Sequence, residues 1–169
     1  MRTLRFAIFG AGFWSRFQLA GCRELEGGAC VAIYNRTRDK AERLAAEFGV
    51  PAVYDDPERL LREVRPDFID VITHPDTHAH FVETAAAHGI PVVCQKPMAP
   101  SLAEAEQMVR DCREAGVPFI VHENMRWQAP IRQVKRLLET DAEGSLKTLR
   151  LVFAAYESAA SGQVVVLRR

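Results

Sequence analysis

Short apolar runs alternate with amphipathic stretches along the first 122 residues of the chain. The runs that predict β-strands are Leu4–Phe9, Ala29–Tyr34, Ala52–Tyr54, Phe68–Ile72, Val92–Cys94 and Phe119–Val121. Several of them are almost continuously apolar, which is typical of parallel strands that are covered on both faces. The stretches between them predict helices, as in 38–48, where the apolar residues recur at helical spacing.

The predicted helices end in the same way at three places. Gly49-Val50-Pro51, Gly89-Ile90-Pro91 and Gly116-Val117-Pro118 each follow a helical stretch and precede an apolar one. Glycine closes a helix in the left-handed conformation, and proline then prevents the helix from continuing. Asp56-Pro57 and Ser101–Glu104 are typical helix starts. Alternating strands and helices predict an α/β fold, a doubly wound parallel sheet over residues 1–122.

Residues 123–169 have a different pattern. Glu123–Pro130 is polar and aromatic, Ile131–Leu138 predicts a helix, and Leu146–Tyr156 predicts one long strand. A segment of this size is too small to build a core unaided. We therefore interpret 123–169 as a helix and a strand that begin an incomplete second domain, truncated here. The edge of the 146–156 strand is a candidate surface for homo-oligomerisation.

Composition limits the kinds of partner that we expect. Lys and Arg number 22, as do Asp and Glu, so the net charge is zero and no general field favours nucleic acid or membrane surfaces. No apolar run is long enough to span a bilayer. Four widely spaced cysteines without a CxxC pair are typical of buried thiols in a reducing compartment, and we expect a cytoplasmic protein.

The segment IFGAGFWSR, residues 8–16, stands between the first predicted strand and the first predicted helix. In that position Gly10 permits a tight turn, and Gly12 permits a pyrophosphate to approach the backbone at the helix N-terminus. Phe13 and Trp14 follow within the same loop, and Ser15 occupies the sixth place of the dinucleotide-binding fingerprint, where a small residue is needed. A plain glycine turn is the alternative.

The second strand ends in Asn35-Arg36-Thr37-Arg38, without the acid that commonly binds the adenosine ribose of NAD. Asn35 is suited to one ribose hydrogen bond, and Arg36, Thr37 and Arg38 are suited to a 2′-phosphate, which an acid would repel. This sequence favours NADP over NAD. A solvated helix start is the alternative interpretation of the two arginines.

Several motifs together resemble the Gfo/Idh/MocA family of NAD(P)-dependent oxidoreductases. They are PVVCQKPMAPSL at 91–102, GAGFW at 10–14, NRTRDKAERLAAEFG at 35–49, DVITHPDTHAHFVETAAAHG at 70–89, ENMRWQAP at 123–130 and GSLKTLRL at 144–151. The resemblance implies a Rossmann domain and a second α/β domain for substrate binding and dimerisation, of which 123–169 would be the start. It also implies a substrate that is a sugar, an inositol or a related polyol. Members of the family are commonly about twice as long as this chain.

The resemblance also implies roles for individual residues. Lys96 corresponds to the lysine of the Glu-Lys-Pro motif and is the candidate catalytic residue, while Gln95 replaces the glutamate. A surface lysine in a turn is the alternative interpretation of Lys96. The other residues that the resemblance places against the cofactor or substrate are Thr73, His74, Pro75, His80, Arg126 and Trp127.

Packing between domains is the alternative role of Trp127. His74, His78 and His80 lie within seven residues, but no ligand set accompanies them, and we interpret Asp76 as a helix cap rather than a metal ligand. We therefore predict no metal site.

The predicted function is hydride transfer between NADP or NAD and a secondary hydroxyl or ketone of a sugar-like substrate. Lys96 at the carboxyl end of the fifth strand supports this function, because ligands bind at that edge of open α/β sheets. A non-catalytic dinucleotide-binding or sensory module, a truncated inactive form, and an assembly role through the 146–156 strand are the alternatives.

Overall fold

The computed structural model describes residues 2–123, 128–140 and Ala154 of the 169-residue chain. The strands are β1 (Leu4–Phe9), β2 (Gly28–Tyr34), β3 (Val53–Tyr54), β4 (Phe68–Val71), β5 (Val92–Gln95) and β6 (Phe119–His122). The helices are α1 (Phe13–Arg23), α2 (Arg38–Phe48), α3 (Pro57–Val64), α4 (His78–Ala87), α5 (Leu102–Glu114) and α6 (Ala129–Thr140). A short 3-10 turn, Pro75–Thr77, precedes α4.

The six strands form one sheet in the order β3-β2-β1-β4-β5-β6, and every neighbouring pair is parallel. The chain therefore runs outward from β1 to β3, returns to the other side of β1, and continues outward to β6. This confirms the predicted doubly wound sheet. The strand order reverses between β1 and β4, and the carboxyl ends of these two strands define the crevice in which such folds bind ligands.

Helices cover both faces of the sheet. On one face, α1 and α2 pack Leu19 and Leu44 against Ile8 and Ile33. On the other face, α3, α4 and α5 supply buried residues that pack against the alternate positions of the strands, namely Leu60, Leu61, Phe81, Val82, Met108 and Cys112. Because both faces are buried, the central strands have few exposed positions, which explains their continuous apolar runs.

The helix ends follow the local sequence signals. Gly49, Gly89 and Gly116 all have positive φ, between 65° and 67°, as expected of residues that end a helix in the left-handed conformation. The Asp56 carboxylate accepts a hydrogen bond from the Arg59 N–H at the start of α3, and the Ser101 hydroxyl accepts one from the Glu104 N–H at the start of α5.

The structure corrects one local prediction. Asp76 does not cap α4: it lies inside the 3-10 turn, and its carboxylate is 3.1 Å from Nδ1 of His74. His74 is the N-cap residue of the turn and Thr77 that of α4, because the turn occupies the residues just before the helix.

The chain divides into two compact units, Met1–His122 and Glu123–Arg169. In the second unit, α6 begins two residues before the predicted helix and ends two residues after it. The predicted strand 146–156 lies outside the described residues except for Ala154, whose backbone is helical. The interpretation of 123–169 as the start of a substrate domain stays a prediction. No helix in the described ranges is long and apolar enough to cross a membrane.

Candidate functional site at the carboxyl edge of the sheet

The loop between β1 and α1 makes a close approach to the end of β4. Gly10 has a φ of +113°, and a Cβ at this position would lie 2.8 Å from the carbonyl oxygen of Ile72. Gly10 is therefore required both for its backbone conformation and for its lack of a side chain. Gly12, the N-cap residue of α1, differs, because a Cβ there would meet no atom within 4 Å.

Ser15 closes this loop from below. Its side chain is fully buried, its hydroxyl donates to the carbonyl oxygen of Gly10 at 2.8 Å, and its Oγ accepts from the N–H of Gly12 at 3.2 Å. A glycine or alanine at this place would supply neither bond. Ser15 therefore stabilises the turn through two hydrogen bonds, in addition to having the small side chain that the fingerprint needs at this place.

Asn35 ties the end of β2 to the same loop. Its Oδ1 accepts a hydrogen bond from the N–H of Ala11 at 3.0 Å, and its Nδ2 donates to the carbonyl oxygen of Thr37 at 2.8 Å. The amide still has one N–H, which these contacts do not use. Asn35 therefore fixes the position of the glycine loop and retains one donor for a ligand.

A cavity of about 570 Å³ opens where these segments meet the loop after β4. Its lining comprises Gly10, Ala11, Gly12, Phe13, Trp14, Tyr34, Asn35, Arg36, Ile72, Thr73, His74, Pro75, Thr77 and Phe81. Nine of the predicted site residues are among them. Thr37, Arg38, His80, Gln95 and Lys96 do not line this cavity, and Arg126 and Trp127 lie outside the described residues.

The two arginines between the end of β2 and the start of α2, Arg36 and Arg38, have different surroundings. Arg36 lines the cavity. Arg38 instead pairs with carboxylates, its Nε lying 2.8 Å from Oε1 of Glu42 and its guanidinium 3.8 Å from Asp55. The structure therefore separates two residues that the sequence analysis treats as equivalent, and Arg36 is the one that faces the ligand space.

A second crevice, of about 300 Å³, adjoins the glycine loop between α1 and α2. Arg16, Lys40 and Arg43 line it, and the Arg16 guanidinium pairs with Glu47 at 2.7 Å. This basic crevice was not predicted from the sequence. The signal was present in the helical spacing of Lys40 and Arg43, but nothing in the sequence indicates that their face of α2 turns toward the loop.

The loop after β4 is held by short side-chain contacts. The Thr77 hydroxyl lies 2.8 Å both from Oγ1 of Thr73 and from the carbonyl oxygen of His74. Thr73, His74 and Pro75 thus form a compact wall of the cavity. His80 is exposed, with its ring 5.2 Å from that of Phe81.

His78 is fully buried and connects two loops of the site. Its Nε2 is 3.2 Å from the carbonyl oxygen of Thr73, and its Nδ1 is 3.2 Å from that of Met98. A neutral imidazole donates to one of these carbonyls, and an imidazolium donates to both. His78 thereby fixes the wall formed by Thr73 relative to the segment that follows Lys96. His80, which the resemblance places against the cofactor or substrate, does not line the cavity.

Lys96 is exposed at the carboxyl end of β5. Its backbone N–H donates to Oε1 of Gln95 at 2.9 Å, and the Gln95 side chain is itself buried. The start of the turn that carries the lysine is therefore held by the residue that replaces the glutamate of the Glu-Lys-Pro motif.

Burial raises the pKa of Cys30 and of Cys94 to about 12, which keeps both thiols protonated. Among the described residues, no group of three or more His, Cys, Asp or Glu side chains is arranged to hold a metal ion.

A parallel sheet whose glycine loop and switch-point cavity lie together defines a dinucleotide-binding class of protein. Residues 4–123 match the family model described as the GFO_IDH_MocA oxidoreductase family, NAD-binding Rossmann fold. The chain therefore belongs to the Gfo/Idh/MocA oxidoreductase family, which confirms the resemblance and the Rossmann fold.

The chain is also similar to individual proteins. A D-apiose dehydrogenase of Rhizobium rhizogenes is 38% identical over 163 residues, 96% of this chain and 47% of that protein. A second D-apiose dehydrogenase, of Paraburkholderia graminis, is 36% identical over 168 residues, 99% of this chain and 45% of that protein. The chain thus spans about half the length of these curated relatives.

Among solved structures, the chain is similar to an oxidoreductase from Agrobacterium radiobacter in complex with NAD+, L-tartaric acid and magnesium. The two are 39% identical with a TM-score of 0.78, and the match covers 81% of this chain and 40% of that one.

Proposed function

We propose that this chain binds a nicotinamide dinucleotide and supplies the catalytic lysine of a dehydrogenase that acts on a secondary hydroxyl or ketone of a sugar, inositol or related polyol. The observation that carries the proposal is the cavity at the switch point between β1 and β4, lined by the glycine loop, the end of β2 and the loop after β4. Membership of an NAD-binding oxidoreductase family supports it.

The glycine loop fits the pyrophosphate of such a cofactor. The space beside Gly12 is open, and the first turn of α1 has backbone N–H groups without intrahelical acceptors. In this arrangement Tyr34, Asn35 and Arg36 would hold the adenosine half, while Thr73, His74 and Pro75 would contact the nicotinamide half.

Lys96 is the residue of this chain that we assign to the chemical step. The bound nicotinamide ring supplies or accepts the hydride. In the reductive direction, the Lys96 ammonium would hydrogen-bond the carbonyl oxygen of the substrate and donate a proton to it as the carbon receives the hydride. In the oxidative direction, the neutral Lys96 amine would accept the hydroxyl proton as the carbon loses the hydride. Gln95 holds the backbone from which this side chain extends.

D-Apiose is the first substrate to test, because two relatives that match nearly the whole chain are named D-apiose dehydrogenase. The full chain is incubated with NAD+ or NADP+ and D-apiose or myo-inositol, and the absorbance of reduced nicotinamide is followed. We expect turnover with at least one pair, and a loss of about 100-fold or more in kcat for Lys96→Ala. Arg110→Ala, a surface change on α5, is the control.

Binding of cofactor without turnover of any sugar or polyol contradicts the catalytic role. Turnover by Lys96→Ala at the wild-type rate contradicts the assignment of the lysine while leaving the dehydrogenase intact.

For the cofactor we propose a preference for NADP over NAD. Arg36 lines the cavity at the end of β2, the four residues after Tyr34 include no acid, and a guanidinium there is suited to a 2′-phosphate. Lys40 and Arg43 in the adjoining crevice add to the positive charge on this side of the glycine loop.

The arginine pair offers a matched test of that preference. Arg36→Ala is expected to weaken NADPH binding by about 10- to 100-fold and to change NADH binding by less than about twofold. Arg38→Ala is the control, because the Arg38 guanidinium already pairs with Glu42 and Asp55. Equal effects of the two substitutions on NADPH, or tighter wild-type binding of NADH than of NADPH, would contradict the preference.

A further inference from the structure

A buried carboxyl group lies beneath the candidate site on the face of the sheet that α1 covers. Asp70, in the middle of β4, is 3% exposed, and its Oδ1 has no hydrogen-bond partner among the described residues. Its Oδ2 accepts a hydrogen bond from Nε2 of Gln18 on α1. A carboxyl group so deeply buried is costly to a fold, which makes its single partner informative.

The partner of Asp70 is one member of a continuous chain of hydrogen bonds. Gln18 accepts at Oε1 from Nε2 of Gln95, at 3.2 Å, and Gln95 accepts at Oε1 from the backbone N–H of Lys96, at 2.9 Å. Each amide therefore accepts on the side of Lys96 and donates on the side of Asp70, so all three donors point the same way. Donors aligned in this manner polarise one another toward an acceptor at the end of the chain.

The direction of these hydrogen bonds determines which residue types are suited to positions 18 and 95. Gln18 must both accept from Gln95 and donate to Asp70, and Gln95 must both accept from Lys96 and donate to Gln18. A carboxylate at either glutamine would remove a donor from this sequence of bonds. Glutamine at position 95 is thus a requirement of its surroundings.

We propose that Gln18 and Asp70 are positioning residues that set the orientation of the Lys96 peptide through the side chain of Gln95. The Asp70 carboxyl group accepts the last hydrogen bond of this series. Its ionisation therefore affects the Gln95 side chain, which accepts from the Lys96 N–H at the start of the turn. The effect of these residues on hydride transfer rests on the proposed function, whereas their effect on the orientation of the Lys96 peptide does not.

The ionisation of Asp70 makes this connection measurable. Burial raises the pKa of Asp70 to about 7, and the hydrogen bond from Gln18 acts in the opposite direction. The titratable groups that interact with this carboxyl are the thiols of Cys22 on α1, Cys30 on β2 and Cys94 on β5, each of whose pKa values is raised. His122 on β6 lies opposite Gln95 in the sheet register.

The first test follows the backbone amide of Lys96 in the full chain by NMR as the pH is raised through neutrality. We expect its chemical shift to titrate with the carboxyl of Asp70, and this titration to vanish in Asp70→Asn, which keeps the shape and the acceptor but cannot ionise. Gln107→Leu is the control, because Gln107 donates to an aspartate on the exposed face of α5. A titration that persists unchanged in Asp70→Asn does not arise from this carboxyl group and overturns the proposal.

The second test exchanges the carboxyl and amide groups. Gln18→Glu places two carboxylates against each other, and we expect it to move the Lys96 amide resonance and to lower kcat by about 10- to 100-fold with little change in KM. Adding Asp70→Asn supplies an amide N–H donor to the carboxylate introduced at position 18, which still accepts from Gln95. The double variant is expected to restore most of the Lys96 amide shift and most of kcat. Failure of the double variant to improve on Gln18→Glu overturns the proposal.

The two tests separate this inference from the proposed function. If the wild-type chain and every variant lack turnover, the dehydrogenase proposal fails, and the Lys96 amide titration still decides the positioning role. If Gln18→Glu does not fold, the comparison of the wild-type chain with Asp70→Asn decides it.

Discussion

Gly10 has a φ of +113° and faces the end of β4 without room for a Cβ, whereas Gly12 has an extended backbone and open space beside it. The first glycine is thus needed by the fold of the loop. The second is needed by what the loop is proposed to bind. Both occupy the same sequence motif, and only their surroundings distinguish these reasons.

Substitution by alanine should separate the two roles. We expect Gly10→Ala to lower the free energy of unfolding by about 1–3 kcal/mol or more, because its Cβ would lie 2.8 Å from the Ile72 carbonyl oxygen. Gly12→Ala should cost less than about 1 kcal/mol and yet weaken dinucleotide binding about tenfold or more, since its methyl group enters the open space. Urea unfolding and cofactor titration measure the two effects; wild-type binding by Gly12→Ala would contradict the assignment.

Residue identity alone predicted part of this site. The glycines, Asn35 and Arg36 are adjacent to recognisable strand ends, so their place at the cavity followed from the sequence. The division of roles between Arg36 and Arg38 did not, because it depends on the carboxylates of Glu42 and Asp55. Ser15 was predicted to be tolerated for its small size, but its two hydrogen bonds depend on the exact path of the loop.

The N-termini of α5 and α2 show how well the local sequence predicts side-chain capping of a helix. Ser101 caps α5 through its hydroxyl, as its sequence predicted. Thr37, also a residue type that favours this position, is the N-cap of α2 without a side-chain hydrogen bond. A hydroxyl residue at the N-cap therefore stabilises α5 through a side-chain hydrogen bond but makes no such bond at the start of α2.

These two caps provide a matched prediction. Ser101→Ala is expected to lower the free energy of unfolding by about 1 kcal/mol, because the Glu104 N–H loses its acceptor. Thr37→Ala is expected to change it by less than about 0.5 kcal/mol. Equal losses in urea unfolding would show that the capping bond of Ser101 is not the source of the difference.

The histidines of α4 show where element-level prediction ends. His78 and His80 are two residues apart, so they lie on different sides of the helix, and the buried face includes His78. The sequence does not indicate which of the two histidines is buried, because α4 is apolar over much of its circumference and its apolar residues do not form a single narrow stripe.

The hydrogen bonds from Gln95 to Gln18 and from Gln18 to Asp70 depend on the fold of the whole unit Met1–His122. These residues lie on β4, α1 and β5, and only the strand order and register bring them together. In the sequence, Asp70 is one polar residue inside an apolar run. Nothing in that run indicates a buried carboxyl group with a partner 52 residues away.

This carboxyl group should make stability depend on pH. Burial holds the pKa of Asp70 near 7 in the folded chain, against about 3.9 when unfolded, so the folded state keeps its proton over that interval. Its contribution to stability is therefore present at low pH and is lost as pH rises through about 7. Between about pH 5 and pH 8, the wild-type chain should lose about 2–3 kcal/mol relative to Asp70→Asn. Parallel pH profiles of the two chains would contradict the burial of an ionisable Asp70.

The cavity where the strand order reverses is proposed to bind the dinucleotide, and direct titration with reduced cofactor tests this binding. Trp14 lines that cavity, so energy transfer from tryptophan to a bound dihydronicotinamide reports its occupancy. Adding NADPH or NADH to the full chain should give saturable binding of one dinucleotide per chain, with NADPH tighter and with affinity reduced in Gly12→Ala. The absence of saturable binding of either cofactor to the folded wild-type chain would contradict a dinucleotide site in this cavity.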